Sequence, residues 1–535
     1  MNKRALFVVV IIFLFTVMNA NVSCAEAGLG KSSSVLFNRN TLYVGGDGPG
    51  NFSKIQYAIN NASDGDTIFV YSGIYYERII VNKSVDLIGE DRESTVIDGG
   101  GTYYVVYIGD NNVSVRNFYI NNSGIYGTYS GIKIHGEFKN ITIENNIIMD
   151  NYFGICIGDP YYYKRIYNVN IINNYIQNNE FGIGFYEGYE TFIENNEFIN
   201  NGIFIVRSSS RDNIVKNNTI NGLPIVYLEK QSDKIIQPNV GQIILMDCKN
   251  ITVFSQLLDI KCEIGIELIR CNNCNVIKNH ISNKYFGILS YYSDNNNIQV
   301  NLIENVTRGI SMDKSDKNII SLNRFNDSSD SIEIDESNEN EISYNYLTNG
   351  STGIDLWHAN KNIFSKNNIN HFYDYGISLD FACSRNQILN NSIKNCLDAG
   401  ILISGSGRIW WDMACVLNVV SGNEIKNNDL GIILDDSALT KVFYNTIMQN
   451  NIGVELRSAK YNRIFKNNIF ENKDEDAILK NSFYSRFNRN FWNETKRVHV
   501  IKGGIYRWDF WGNIFYEVLP IPRFDWNPVK EPYKI

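Results

Sequence analysis

The sequence predicts an all-β protein, a single-stranded right-handed parallel β-helix with about 22–24 residues in each turn. Three observations lead to this prediction. One phrase recurs along the chain, as in NNYIQNNEFGIGFY at residues 173–186. Each repeat holds two or three short strands in which apolar residues alternate, and no repeat contains a stretch long enough for a buried helix.

The glycine of the Gly-Ile-x-apolar phrase marks the repeat most clearly. It returns every 22 to 24 residues at Gly265, Gly287, Gly309, Ser331 (in place of glycine), Gly353, Gly376 and Gly400. Earlier in the chain, Gly131, Gly154, Gly182 and Gly202 continue the series. A unit this short cannot bury its apolar face alone, so we expect successive units to stack. Roughly 18 turns at about 4.8 Å each would give a rod on the order of 90 Å long.

Asparagine recurs in pairs between the short strands, although it is uncommon in ordinary strands. It tolerates the left-handed backbone conformation that sharp bends need. Stacked amides can also hydrogen-bond from one turn to the next. We therefore interpret these asparagines as architectural.

The N-terminus has the features of an export signal. Two basic residues precede an uncharged run at residues 5–18, and Ala25-Glu26-Ala27 offers a small-x-small cleavage site. The run is too short for a membrane span, and no second such run follows. We expect a signal peptide at residues 1–27 and a secreted or cell-surface protein, while Cys24 leaves lipid anchoring open.

The rest of the chain divides into a linker at residues 28–40, an N-terminal cap with the first turns at 41–130, repeats at 131–490 and a C-terminal cap at 491–535. Caps are needed because open turns would expose strand edges.

The predicted N-terminal cap is a short helix in residues 53–62. Ser53-x-x-Gln56 matches a capping box. Ile55, Ala58 and Ile59 would lie on one helical face. The C-terminal cap is predicted from four prolines and four tryptophans, namely Pro520, Pro522, Pro528, Pro532, Trp492, Trp508, Trp511 and Trp526.

The composition excludes some classes of function. The net charge is −8 with a pI near 5.4, which argues against a nucleic-acid-binding protein because phosphate neutralisation needs clustered Lys and Arg. Apolar residues make up 44% of the chain, so it is not a disordered protein.

Carboxylates gather at the two outward positions of the Gly-Ile-x-apolar-y phrase. Over four neighbouring turns, about 5 Å apart, these positions hold Asp313, Glu333, Asp335, Asp355 and Asp380. Three interpretations stay open. A pair could act as acid and nucleophile or base on a glycosidic bond, several could hold Ca²⁺, or the patch is solvated surface.

Aromatic side chains are predicted beside these carboxylates. The candidates for ligand binding are Trp357 and His358, Trp410 and Trp411 in the insertion SGSGRIWWDMA, and Tyr161, Tyr162 and Tyr163 in the insertion GDPYYYKRIY. Aromatic faces stack on sugar rings, which favours a glycan-binding groove. The alternative is that the insertions fold back and cover the sheet.

The cysteines leave three alternatives. Cys248 and Cys271 are 23 residues apart and are expected to stack, and Cys274 completes a lone CxxC. They could form a disulfide, bind a metal, or act as small buried hydrophobes. The five histidines show no ligand spacing.

Three stretches resemble a known superfamily. The segment LYVGGDGPGNFSKIQYAINNASDGDTIFVYSGIYYERIIVNKSVDLIGE resembles the opening of pectin-lyase-like β-helix proteins. LPIVYLEKQSDKII with GQIILMDCKNITV resembles the centre of NosD-type proteins, and FDWNPVKEPYKI resembles the end of secreted archaeal members. The resemblance implies carbohydrate binding or cleavage in many members and copper handling in a few. The polygalacturonase motif set is not present in order, which weakens the case for a hydrolase.

The sequence therefore leaves three hypotheses about function open. The first is binding of polysaccharide or surface glycan along an outer face. The second is a polysaccharide lyase or glycoside hydrolase that uses the stacked carboxylates. The third, by resemblance only, is a NosD-like accessory protein for a copper or other metal site.

Overall fold

The structure, a computed structural model, describes residues 40–160, 164–205, 211–405, 414–482, 484–492, 499–508, 514–517, 523–525 and 528–535. From Thr41 onward the chain forms one compact unit. It is a solenoid of about 20 turns whose strands pair in parallel from turn to turn, so the predicted parallel β-helix is confirmed.

An N-terminal segment, residues 41–222, has three parallel sheets. Sheet 1 consists of Thr41–Val44, Thr67–Val70, Asp86–Gly89, Ser114–Arg116, Lys139–Glu144, Ile166–Ile172, Gly188–Tyr189, Phe192–Glu194 and Ile214–Lys216. Sheet 2 consists of Gly73–Tyr76, Thr95–Asp98, Tyr119–Asn121, Ile147–Met149, Tyr175–Gln177, Glu197–Ile199 and Thr219–Ile220. Sheet 3 consists of Ile79–Val81, Val106–Ile108, Ser130–Ile134, Phe153–Ile157, Phe181–Phe185 and Ile203–Ile205.

A C-terminal segment, residues 223–492, has one wide and one narrow sheet. The wide sheet, which bends along its strands, consists of Leu223–Glu229, Gln242–Met246, Leu257–Leu258, Cys262–Ile269, His280–Tyr291, Leu302–Asp313, Arg324–Asp335, Tyr346–Gly350, Thr352–Trp357, Asn368–Phe372, Tyr375–Asp380, Ser392–Lys394, Ala399–Ser404, Glu424–Lys426, Leu430–Asp435, Thr446–Met448, Ile452–Arg457, Asn468–Phe470, Glu475–Lys480 and Phe491–Trp492. The narrow sheet consists of Ile235–Ile236, Thr252–Phe254, Asn275–Ile277, Asn297–Gln299, Ile319–Ser321, Glu341–Ser343, Ile363–Ser365, Gln387–Leu389, Val419–Ser421, Lys441–Phe443, Arg463–Phe465 and Arg486–Asn488.

The two members of each asparagine pair have different structural roles. The first member takes the left-handed conformation, as Asn173 does with φ of 58°. The second member is buried and bonds to the next turn: Asn345 donates its backbone N–H and its Nδ2 to Oδ1 of Asn367, over 2.9 and 3.0 Å. Its Nδ2 also donates to the carbonyl of Ile320 over 2.9 Å. The predicted ladder is present, and it satisfies polar groups that would otherwise be buried without partners.

The N-terminal helix is present at Ile55–Asn61, and its buried residues are Ile55, Ala58 and Ile59, as predicted. The predicted capping box is wrong, because no side chain within the helix caps it. The carboxylate of Glu77 accepts the N–H groups of Ile55 and Gln56 instead, over 3.0 and 3.2 Å. Gln56 is used elsewhere, since it accepts the N–H of Ile80 at the edge of sheet 3.

The described part of the C-terminal cap contains three strands after Trp492. His499–Trp508 pairs in antiparallel fashion with Ile514–Glu517 and Arg523–Asp525. Asp525 ends the asparagine ladder, because its Oδ2 accepts hydrogen bonds from the N–H and the Nδ2 of Asn490 over 2.9 and 3.0 Å. Pro520, Pro522, Trp511 and Trp526 lie outside the described residues.

The stack of turns is interrupted between the two segments, a feature that the repeat did not predict. Thr219–Ile220 turns back through Asn221 and Gly222 and pairs in antiparallel fashion with the start of Leu223–Glu229. Sheet 3 therefore ends at Ile203–Ile205, and no described strand of the C-terminal segment continues it.

Candidate functional site

The register of the wide sheet places the predicted carboxylates on adjacent strands. Glu333 is level with Ser311 on one side and Asp355 on the other. Asp313 is level with Asp335. We call the outward surface that carries Asp313, Arg308, Asp330, Glu333, Asp335, Asp355, Trp357 and Asp380 the acidic face.

Two of the five carboxylates are neutralised by cations. Arg308 contacts Glu333 over 2.9 Å, and the hydroxyl of Ser311 donates to the same carboxylate over 2.9 Å. Lys314 lies 3.5 Å from Asp313. Both carboxylates therefore have a cationic partner, although burial raises the pKa of Asp313.

Asp355 and Asp380 form no ion pair with a lysine or arginine among the described residues. Burial, and to a smaller extent the charge of Asp380, raises the pKa of Asp355 to about 6. Burial also raises the pKa of Asp380, whose Oδ2 accepts a hydrogen bond of 2.5 Å from Ser378. Asp355 is therefore a group that changes protonation near neutral pH.

Trp357 lies between these carboxylates and is 40% exposed. Its indole N–H donates to Asp355 over 3.0 Å, which fixes the orientation of the ring. The ring stacks on Phe381 with the centroids 4.7 Å apart and the planes 24° apart. Next to it, Nδ1 of His358 is 3.9 Å from Asp335. The arrangement is a supported aromatic surface bordered by hydrogen-bonding groups.

The sequence prediction missed three members of this surface. Arg308 and Asp330 are level with each other on neighbouring strands, one residue before the aligned glycine position. Burial and the charge of Glu333 raise the pKa of Asp330. Phe381 follows the y position directly. Comparison of successive repeats at the position before the glycine and at the position after y would have identified all three residues.

A furrow follows the bend of the wide sheet, beside the acidic face. We define this corner furrow by its lining residues Asp327, Ser328, Ser329, Asn349, Gly350, His371, Phe372, Tyr373, Asn395 and Leu397, which surround about 420 Å³. Tyr373 and Leu397 are 70% and 66% exposed. The furrow offers amide, hydroxyl, aromatic and apolar groups on successive turns.

The remaining candidate residues for ligand binding stay predictions. Trp410, Trp411, Tyr161, Tyr162 and Tyr163 lie outside the described residues.

Cys248 and Cys271 occupy adjacent turns and are buried, and both are free thiols in the structure. Each thiol donates to backbone carbonyl oxygens, that of Cys248 to Leu228 and that of Cys271 to Leu245, both over 3.3 Å. A disulfide between them stays a prediction. Mass spectrometry of the non-reduced, alkylated protein would detect it as a cross-linked peptide pair.

Metal ligation and membrane insertion were also assessed over the described ranges. There, no group of three or more His, Cys, Asp or Glu side chains is arranged to hold a metal ion. No helix in the same ranges has the length and apolarity that a bilayer span requires.

Solved structures that resemble the chain include a pectin methylesterase from carrot (12% identity, 56% of this chain and 84% of that chain, TM-score 0.24). Others are the A-module of mannuronan C-5 epimerase AlgE6 from Azotobacter vinelandii (13%, 83% and 95%, 0.23) and the Dettilon tailspike protein (12%, 85% and 70%, 0.22). Similarity at this level carries no argument about activity. A comparison with curated proteins finds no match.

Family models give a firmer result. The model described as "Right handed beta helix region" matches residues 105–240. The model described as "Periplasmic copper-binding protein (NosD)" matches residues 228–410 and 326–517, which together are more than half of the chain. The chain therefore belongs to the NosD family of right-handed β-helix proteins.

Proposed function

We propose that this protein is secreted or located at the cell surface and binds polysaccharide on its acidic face. The observation that supports this most is Trp357, an exposed ring that rests on Phe381 and is fixed by Asp355. An aromatic face of this kind packs against the apolar face of a sugar ring. The flanking carboxylates can accept hydrogen bonds from sugar hydroxyl groups.

The negative charge of the acidic face limits which class of glycan can bind there. Asp335, Asp355 and Asp380 would repel the carboxylates of a polyuronate, because the acidic face carries six carboxylates and its one arginine, Arg308, is paired with Glu333. Neutral or amino sugars fit this surface better than acidic ones.

Affinity electrophoresis and pull-down with neutral, amino and acidic polysaccharides would test the proposal. We expect Trp357→Ala to weaken binding about tenfold or more, since loss of a stacked aromatic contact costs about 1–2 kcal/mol. Tyr484→Ala is the matched control, because Tyr484 is an exposed ring (64%) on another corner of the solenoid. Equal affinity of wild type and Trp357→Ala for every polysaccharide would refute the assignment.

A second candidate function is cleavage of a glycosidic bond, with Asp355 as general acid. The raised pKa of Asp355, about 6, favours this role, because a general acid must hold its proton near neutral pH. Prolonged incubation with the bound polysaccharide, with and without Ca²⁺, should release reducing ends that Asp355→Asn does not release. The absence of released ends from the wild type would leave binding as the function.

Copper, which the family description implies, does not fit the described donor set. Cys248, Cys271 and Cys274 are buried with their thiols directed at backbone carbonyls, and no described cluster of ligating side chains surrounds a common point. We therefore derive no step through copper. Equilibrium copper titration that showed stoichiometric uptake would reverse this conclusion.

A further inference from the structure

The inference concerns the place where the N-terminal segment meets the wide sheet. Strand Ile203–Ile205 is the last strand of sheet 3, and side chains of the C-terminal segment bind its backbone. Gln242 accepts the N–H of Ile203 over 3.1 Å and donates Nε2 to its carbonyl over 2.6 Å. Glu267 accepts the N–H of Ile205 over 3.4 Å. The two segments are thus joined firmly at this point.

A cavity of about 510 Å³ lies at this joint, and we call it the junction pocket. The N-terminal segment contributes Glu180 and Asn200 to its wall, and the C-terminal segment contributes Glu263, Asn283 and Tyr285 among others. The ring of Tyr285 also contacts Phe181 of the N-terminal segment, with the centroids 6.2 Å apart.

Glu263 is the group in this pocket that most needs a partner. Its side chain is 3% exposed. One carboxyl oxygen, Oε1, accepts a hydrogen bond of 2.5 Å from the N–H of Gly182. The other, Oε2, is buried and makes no hydrogen bond. An unsatisfied polar atom beside a cavity is costly unless a ligand or solvent molecule binds to it.

Of the two lysines that line the pocket, Lys284 is already engaged. Nζ of Lys284 donates to the backbone carbonyls of Ile260 and Ser282. Groups that remain available toward the pocket are carboxyl, amide, hydroxyl and aromatic groups and the ammonium group of the exposed Lys261. These mixed donors and acceptors suit a polyhydroxylated ligand.

The junction pocket and the corner furrow are neighbours, because Ser329 borders both cavities. Together the two cavities extend from the strand that starts at Cys262 to the strand that starts at Ser392. The two strands are six turns of the solenoid apart, or roughly 30 Å. Glu180 and Asn200 stand at the junction end of this path. A long ligand could leave the path at the far end but would meet the N-terminal segment at the junction.

We propose that the junction pocket binds the terminal sugar of a neutral polysaccharide chain, whose following units lie in the corner furrow. This inference rests on the proposed function, since it names the part of the glycan that is recognised. Glu263 bonds to a hydroxyl group of the terminal sugar, and Tyr285, which is 38% exposed, packs against its ring. The N-terminal segment makes the site specific for a chain end.

Isothermal titration with linear cello-, malto- and chito-oligosaccharides of two to eight units would test the proposal, with cyclic malto-oligosaccharides as probes that lack ends. The wild type should bind at least one linear series and not the cyclic compounds. Glu263→Ala and Tyr285→Ala should each weaken binding of short oligosaccharides about tenfold, the value expected for one lost contact. Tyr285→Ala alters a surface residue and keeps the test valid if Glu263→Ala does not fold.

The two proposals can fail separately. If the wild type binds no polysaccharide, the proposed function is wrong. If the wild type binds polysaccharide but neither junction variant changes its affinity for short oligosaccharides, or if cyclic compounds bind as well as linear ones, the chain-end site is refuted. Tyr484→Ala serves as the control, because Tyr484 belongs neither to the acidic face nor to the junction pocket or the corner furrow. Trp357→Ala tests the proposed function separately.

Discussion

The burial of Glu263 at the joint predicts that the stability of the protein falls as the pH rises toward neutrality. Burial, followed by the charge of Glu180, raises the pKa of Glu263 from 4.5 to about 7. The folded protein therefore binds more protons at this site than the unfolded chain between about pH 4.5 and 7. In this window, the free energy of unfolding decreases with increasing pH.

The magnitude follows from the size of the shift. Each pKa unit corresponds to 1.36 kcal/mol, so a shift from 4.5 to about 7 makes the folded protein about 3 kcal/mol less stable above pH 7 than below pH 4.5. Glu263→Gln removes the charge and keeps an oxygen that can accept the N–H of Gly182. The free energy of unfolding of the Glu263→Gln variant should therefore lack this pH-dependent contribution.

The assay is denaturant unfolding of wild type and Glu263→Gln between pH 4 and 8, with hydrogen exchange of the peptide that contains Gly182 as a local probe. The difference between the two proteins should grow by about 3 kcal/mol over the window. After correction for the intrinsic pH dependence of amide exchange, protection at Gly182 should fall in the wild type only. Asp355 and Asp435, whose pKa values burial also raises to about 6, are present in both proteins and cancel. Parallel stability curves for the two proteins would refute the reasoning.

Three further predictions concern the ladder, the cap and the N-terminus. Asn345→Ala should lower the free energy of unfolding by about 3 kcal/mol, because it leaves several buried partners unsatisfied; the exposed Asn349→Gly, tested in the same denaturant series, should change it by a few tenths. Asp525→Ala should make the C-terminal strands more sensitive to limited proteolysis, because Asn490 and Trp492 lose their acceptor; an unchanged cleavage pattern would contradict this. N-terminal sequencing of the exported protein should begin at Gly28, and a sequence that began at Met1 would contradict the signal peptide.

The repeat spacing was enough to predict which residues become neighbours. Because one turn takes 22 residues here, the sequence alone placed Glu333 beside Asp355. It was also enough for the buried face of the helix, since Ile55, Ala58 and Ile59 follow helical periodicity. These features depend on local pattern and a fixed period, which a single sequence displays.

Pairings across turns could not be predicted in the same way. Nothing local indicates that Glu77 caps the helix, because the two are brought together by a full turn of the solenoid. Likewise, Gln242 and Glu263 occupy strands of ordinary appearance, and only the interruption of the stack at residues 221–222 brings the N-terminal segment against them. Such contacts depend on long-range packing, which the repeat pattern does not indicate.

One column of the wide sheet shows how packing decides the role of a carboxylate. Glu267, Glu333 and Asp355 occupy equivalent outward positions, since the register runs from Glu267 through Leu289 and Ser311 to the other two. At Glu267 the side chain is buried and accepts a backbone N–H of the N-terminal segment, so it is structural. Glu333 is neutralised by Arg308. Asp355 has neither a cover of this kind nor a described cation, and an exposed ring lies beside it. The binding surface is therefore expected at Asp355, the carboxylate of this column that is neither covered by the N-terminal segment nor paired with a described cation.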